Sequence, residues 1–116
     1  MAMQFENRLR LRIHAGERTK HRHRALYEVI VERAGQEGLA GATVLKGILS
    51  YGISGKVHAA RVLELSPDLP VVIEIIDDRW RVEAFLPVLE SLVRESGAHV
   101  HLTMEDVRAA VVEPDA

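Results

Sequence analysis

The sequence predicts an α+β domain in which an antiparallel sheet carries two helices on one face. Three observations predict it. Arg8-Leu9-Arg10-Leu11-Arg12-Ile13-His14 alternates polar and apolar residues at period two, the pattern of a strand buried on one side. Leu69-Pro70-Val71-Val72-Ile73-Glu74-Ile75-Ile76-Asp77-Asp78 is an apolar, largely β-branched run that stops at paired aspartates, as a central strand does when it hands over to a helix N-cap. Two longer stretches repeat their apolar residues at helical spacing.

Taken in order, the first strand points Leu9, Leu11 and Ile13 at the core and leaves Arg8, Arg10, Arg12 and His14 on the other face. Gly16 to Lys20 read as a polar connection. A helix is expected at about 23–36, presenting Leu26, Tyr27, Ile30, Val31 and Ala34, with Gly38 and Gly41 at its exit. A second strand follows over Ala42–Leu49, crossed by Lys46 and Gly47. The glycine-punctuated stretch from Ser50 to Lys56 reads as a loop or hairpin tip, and Val57–Leu65 as a strand or arm closed by Ser66-Pro67-Asp68. After the central strand at Val71–Ile76, Asp77 or Asp78 caps a second helix running to about Glu95. Its inner face is Val82, Phe85, Leu86, Leu89, Leu92 and Val93, with a kink expected at Pro87 and an end at Gly97. Ala98–Leu102 makes a short strand, Thr103 to Asp106 a turn, and Val107–Val112 a short extra C-terminal strand. The order βαββαβ is the ferredoxin-like unit, whose right-handed crossovers set the first and third of these strands side by side mid-sheet.

A chain of 116 residues, 47% apolar and 28% charged, is expected to be one domain over 1–116, with an ordered core at about 7–112 and a projecting loop at about 50–68. The absence of cysteine excludes disulfides and thiolate chemistry. No window has the length of a membrane span, and residues 1–6 lack the apolar centre of a signal peptide, so a cytoplasmic location is expected. Residues 1–24 carry seven Arg/Lys against two acids, and residues 62–116 four Arg against twelve acids. With a pI near 6.3 and few aromatics, these blocks are expected to neutralise one another rather than bind nucleic acid.

Both helices cover the same face, so the other must be shielded differently. It should carry the arginine row, Glu74 between Val72 and Ile76, and His99 and His101. Glu74 is expected to pair with Arg10 or Arg12. Apolar and charged groups mixed on one open surface mark an interface, which predicts self-association through Arg10, Arg12 and Glu74. His14, His99 and His101 could gather as metal ligands, although a set of solvated or interface histidines satisfies the same pattern. His21 and His23 are expected in solvent.

No P-loop, H-E-x-x-H or Rossmann glycine pattern occurs, and Gly52-Ile53-Ser54-Gly55 falls one residue short of G-x-S-x-G. Ser54, Lys56 and His58 could supply a nucleophile and base, but on a loop poorly suited to hold one. A non-enzyme is expected.

Gly41-Ala42-Thr43-Val44, then Tyr51-Gly52, a variable arm, and Asp68-Leu69-Pro70-Val71-Val72-Ile73-Glu74-Ile75 resemble the PII signalling proteins. More closely, Leu26-Tyr27-Glu28, Gly38 to Val44, Gly47, His58, Leu69–Asp77, Phe85-Leu86-Pro87 and Thr103 to Val107 resemble a PII-like family designated domain of unknown function 190, over about residues 7–112. The resemblance implies a homotrimer with its sheets facing a threefold axis, clefts between subunits that hold adenine nucleotides in PII relatives, and a loop that docks on a transporter or enzyme. It implies ligand contacts at Thr43, Tyr51, Gly52, Leu69, Pro70 and Val71, to which the chemistry of Lys56, His58 and Arg61 adds further candidates. Where PII proteins have a glycine- and lysine-rich phosphate loop, this chain has Arg94-Glu95-Ser96-Gly97-Ala98-His99, with one glycine and no lysine. That favours a smaller anion over a triphosphate. The expected function is regulatory: a trimer sensing an anion or nucleotide, with a membrane transporter or channel as one partner. The alternatives are a metal-binding ion-tolerance protein using the histidines, and a small enzyme.

Overall fold

The computed structural model describes residues 3–51, 57–59 and 68–114, with backbone alone at 51 and 57–59. The chain runs β1 (Glu6–Gly16), β2 (Lys20–His21), β3 (Arg24–Ala25), α1 (Leu26–Gln36), β4 (Thr43–Lys46), β5 (Leu49–Tyr51), β6 (Val57–Ala59), β7 (Pro70–Asp77), α2 (Arg79–Ser96) and β8 (His101–Ala109). The main sheet has the order β4-β7-β1-β8 and every neighbouring pair is antiparallel. The expected middle pair is therefore β1 and β7, in the register Leu11↔Ile75, Arg12↔Glu74 and Ile13↔Ile73.

Alternation decides which side each residue serves. Leu9, Leu11 and Ile13 of β1 and Ile73 and Ile75 of β7 are buried against Leu26, Ile30 and Ala34 of α1 and Val82, Phe85, Leu89 and Leu92 of α2. Each fully buried aliphatic side chain contributes about 1.5–3 kcal/mol relative to exposure. Helix α2 runs unbroken through Pro87 and ends at Gly97, whose φ of 71° is the left-handed cap that glycine accepts without a Cβ penalty.

Asp78 occupies the N-cap position of α2, but its side chain makes no capping bond. It faces Arg8 Nε instead, at 3.2 Å. The buried neighbour Asp77 accepts from the backbone N–H of Asp78 at 2.7 Å and of Ala40 at 2.8 Å, tying the exit of α1 to the end of β7.

Four expectations at the level of elements are corrected. The second strand is not continuous over 42–49 but stops after Lys46: the Gly47 N–H still donates to the Pro70 carbonyl at 2.8 Å, but Pro70 has no N–H to return a ladder bond. A Cβ on Gly47 would lie 2.6 Å from Pro70 Cγ, so only glycine fits. Helix α1 begins at Leu26 rather than 23, since residues 20–25 form a tight hairpin, with Lys20↔Ala25 and His21↔Arg24 paired and Arg22 at φ 59°. His21 is buried rather than solvated, and its Nε2 lies 2.6 Å from Glu95 Oε2 on α2. Finally, 103–106 is not a turn. The eleven-residue β1 offers pairing along its whole length, and 101–109 takes it as one strand, from His14↔His101 to Glu6↔Ala109. Of the strand expected at 107–112, residues 107–109 are the end of β8 and 110–112 lie beyond it, and His99 lies before the strand.

Candidate functional site

Among the described residues, two regions collect charged and polar groups. The first is the open face of the sheet. Strand periodicity puts Arg8, Arg10, Arg12 and His14 there, and the register sets Ile76, Glu74 and Val72 of β7 and Glu105, Thr103 and His101 of β8 beside them. Arg12 Nε meets Glu74 Oε2 at 3.0 Å, the expected ion pair, while Arg10 meets Glu105 Oε1 at 2.5 Å. Arg12 also comes within 4.0 Å of Glu105. The hydrogen bond from Arg10 pulls the Glu105 carboxyl below its usual range, with the charges of Arg10 and Arg12 adding to the effect. At the far end of β1, His14 sits below the ordinary imidazole value, through partial burial first and then through His101 and Arg12. Its strand-paired neighbour is His101 and not His99, with ring centroids 5.7 Å apart. Among the described residues no three His, Asp or Glu side chains gather as metal ligands.

The second region is a groove of about 760 Å³ that includes Lys46 at the end of β4 and Leu69 just before β7. It is lined by Glu17, Arg18, Lys20, Ala25, Tyr27, Glu28, Lys46 and Leu69. Backbone bonds draw its walls together. The Glu17 N–H donates to the Leu69 carbonyl at 2.8 Å, and the Arg18 N–H to Asp68 Oδ1 at 3.0 Å. Lys46 Nζ reaches Glu17 Oε1 at 3.2 Å across the opening. Among the described lining residues, three cations against two carboxylates suit a small anion, which would compete with Glu17 for Lys46. None of these described lining residues is a hydroxyl or imidazole nucleophile paired with a base.

The predicted ligand contacts are distributed unevenly over this framework. Thr43 is exposed on the open face opposite Glu74. Leu69 is buried and borders the groove, Pro70 packs on Gly47, and the Val71 side chain is buried on the helix side. The backbones of Tyr51 and His58 lie in the β5–β6 hairpin, opposite Val57 and Ser50. Gly52, Lys56 and Arg61 fall outside the described residues. Sequence reasoning missed Glu17, Arg18, Lys20 and Lys46 as neighbours, and missed Glu105 as the partner of Arg10. The only available signal was the cluster of basic residues between 18 and 24.

The profile of the DUF190 family, described as "Uncharacterized ACR", matches residues 8–109. The chain belongs to the DUF190 family. It is 36% identical over 98 residues to a UPF0166 protein of Aquifex aeolicus, covering 84% of this chain and 88% of that one. A UPF0166 protein of Methanocaldococcus jannaschii is 36% identical over 87 residues, or 75% of this chain and 80% of that one. Among solved structures, CPII from Thiomonas intermedia, a nitrogen regulatory PII-like protein bound to ADP, AMP and bicarbonate, superposes with a TM-score of 0.68. Identity is 14%, over 95% of this chain and 94% of that chain. A protein of Thermus thermophilus described as PII-like and signalling gives a TM-score of 0.66 at 16% identity, over 92% and 93%. At these identities the likeness establishes the fold: this DUF190 chain has the PII-like, ferredoxin-like architecture. No helix among the described residues is long and apolar enough to cross a membrane.

Proposed function

We propose that this DUF190 protein is a non-enzymatic, PII-like regulator that acts as a cytoplasmic homotrimer. It takes a small anion or adenine nucleotide at clefts between subunits and relays its state to a partner such as a membrane transporter. One observation carries the reading: the sheet face left open by both helices. Val72 and Ile76 are half-buried there beside Glu74, and Leu45 is 54% exposed. Arg12–Glu74 and Arg10–Glu105 would contribute little if fully wetted. Against copies of the same face, water is excluded, the apolar groups are covered and the pairs fix the register of assembly.

The likeness to CPII, bound to ADP, AMP and bicarbonate, supports a ligand of the nucleotide or small-anion class. Thr43, Tyr51, Gly52, Lys56, His58, Arg61 and Leu69 to Val71 are the contacts proposed for it, with the 50–68 segment as the relay. Light scattering at micromolar concentration tests the assembly and should return three times the mass of one chain; the mass of a single chain would refute it. A thermal-shift series with AMP, ADP, ATP, bicarbonate and phosphate tests sensing. At least one should raise the midpoint with a concentration dependence, whereas a flat response across the series would refute ligand sensing.

A further inference from the structure

His14 and His101 stand directly opposite one another on β1 and β8, on the open side of the sheet, and both are exposed. Their ring centroids are 5.7 Å apart and the rings are tilted by 37°. A zinc-bound imidazole nitrogen lies about 2.0–2.1 Å from the ion, which puts the ring centre about 3 Å from it. Two rings sharing one tetrahedral ion are therefore about 5 Å apart between centres, and about 6 Å apart if the ligands splay towards a line. The observed separation falls inside that span without any backbone movement. Among the described residues neither ring has a hydrogen-bond partner, so no bond must be broken to free a nitrogen for a metal. The nearest cation is Arg12, and its charge is met by Glu74 at 3.0 Å and Glu105 at 4.0 Å. A divalent ion at the histidines would thus meet a nearly neutral row.

We propose that His14 and His101 form a two-imidazole site for a divalent transition ion of the Zn2+, Ni2+ or Cu2+ type, with the remaining positions open to water or to a group of a facing copy. Imidazole selects these ions over Mg2+ and Ca2+, which prefer oxygen ligands. Two protein ligands hold an ion less tightly than the four of a structural zinc site. The occupancy of this site accordingly follows the supply of free metal.

The site needs only one chain, so it stands or falls separately from the homotrimer. The test is calorimetric titration of the untagged full chain with Zn2+ and with Ni2+, followed by spectra of the histidine ring protons. One ion should bind per chain, and the ring signals of His14 and His101 should be the ones that move. His14→Gln and His101→Gln should each weaken binding by about tenfold or more, while His23→Gln and His99→Gln leave it unchanged. Circular dichroism on each variant verifies that the fold is kept. Absence of binding to the native chain overturns the proposal, and so does binding that survives the double substitution His14→Gln/His101→Gln. Binding at the pair by a chain that proves monomeric would uphold this site while refuting the homotrimer.

Discussion

At the scale of single residues, buried polar groups carry more structural weight than the surface ion pairs. Asp77 serves two backbone donors from a buried position. Asp77→Ala leaves both without their acceptor and should cost about 1–3 kcal/mol in urea unfolding. A loss below about 0.5 kcal/mol would show that water replaces the carboxylate. Beside His14, whose depressed value acts at higher pH, the acid limb of the pH dependence reflects Glu105 and Glu95, both held below the ordinary carboxylate value of 4.5, the former mainly by its hydrogen bond to Arg10 and the latter mainly by its hydrogen bond to His21. A carboxyl whose value is lower folded than unfolded contributes stability that is complete above the unfolded value and lost as the pH falls through the folded one. Thermal midpoints should therefore decline on acidification below about pH 4.5, and Glu105→Gln should flatten that decline.

At the scale of elements, two glycines make contrasting predictions. A Cβ on Gly47 would press on the Pro70 ring, which cannot move without shifting β7, whereas a Cβ on Gly16 would meet only the tip of Asp68 at 2.8 Å. Gly47→Ala should destabilise by about 1–3 kcal/mol and Gly16→Ala by less, since the Asp68 carboxylate can swing aside at the expense of its bond from Arg18. Paired denaturant curves compare the two. Pro87 lies exposed inside α2, so Pro87→Ala restores a helical N–H and should stabilise by up to about 3 kcal/mol.

Much of this framework could be read from local periodicity. The alternation in β1 and the helical spacing in α1 and α2 named their buried faces correctly. The failures came where a distant partner decides. His21 is buried because Glu95, 74 residues away, receives it, and nothing in Lys20-His21-Arg22-His23 announces a hairpin. Thr103 to Asp106 has turn-forming composition, but pairing with β1 overrides it. The arginine row was legible for the same reason as the strand; the groove was not, because Glu17, Lys46 and Leu69 meet only after folding.

At the scale of the whole molecule, the open face should respond to charge as a unit. Arg12→Glu sets two carboxylates against each other and should reduce the scattering mass of the assembly, while Arg12→Glu combined with Glu74→Arg should restore it. An unchanged mass in the single variant would place the contact between copies elsewhere. The fastenings around β7 have a separate consequence. Residues 68–70 are tied to β1 and to Gly47 through Glu17, Arg18 and the Pro70 carbonyl, so the end of β4 and the start of β7 are fastened to each other and to β1. Doubling the span of a tethered loop costs only about 0.6 kcal/mol. A foreign epitope spliced in at 52–56 should therefore leave the melting profile nearly intact, making this stretch of sequence a natural place for evolution, or an engineer, to rewrite what the scaffold recognises.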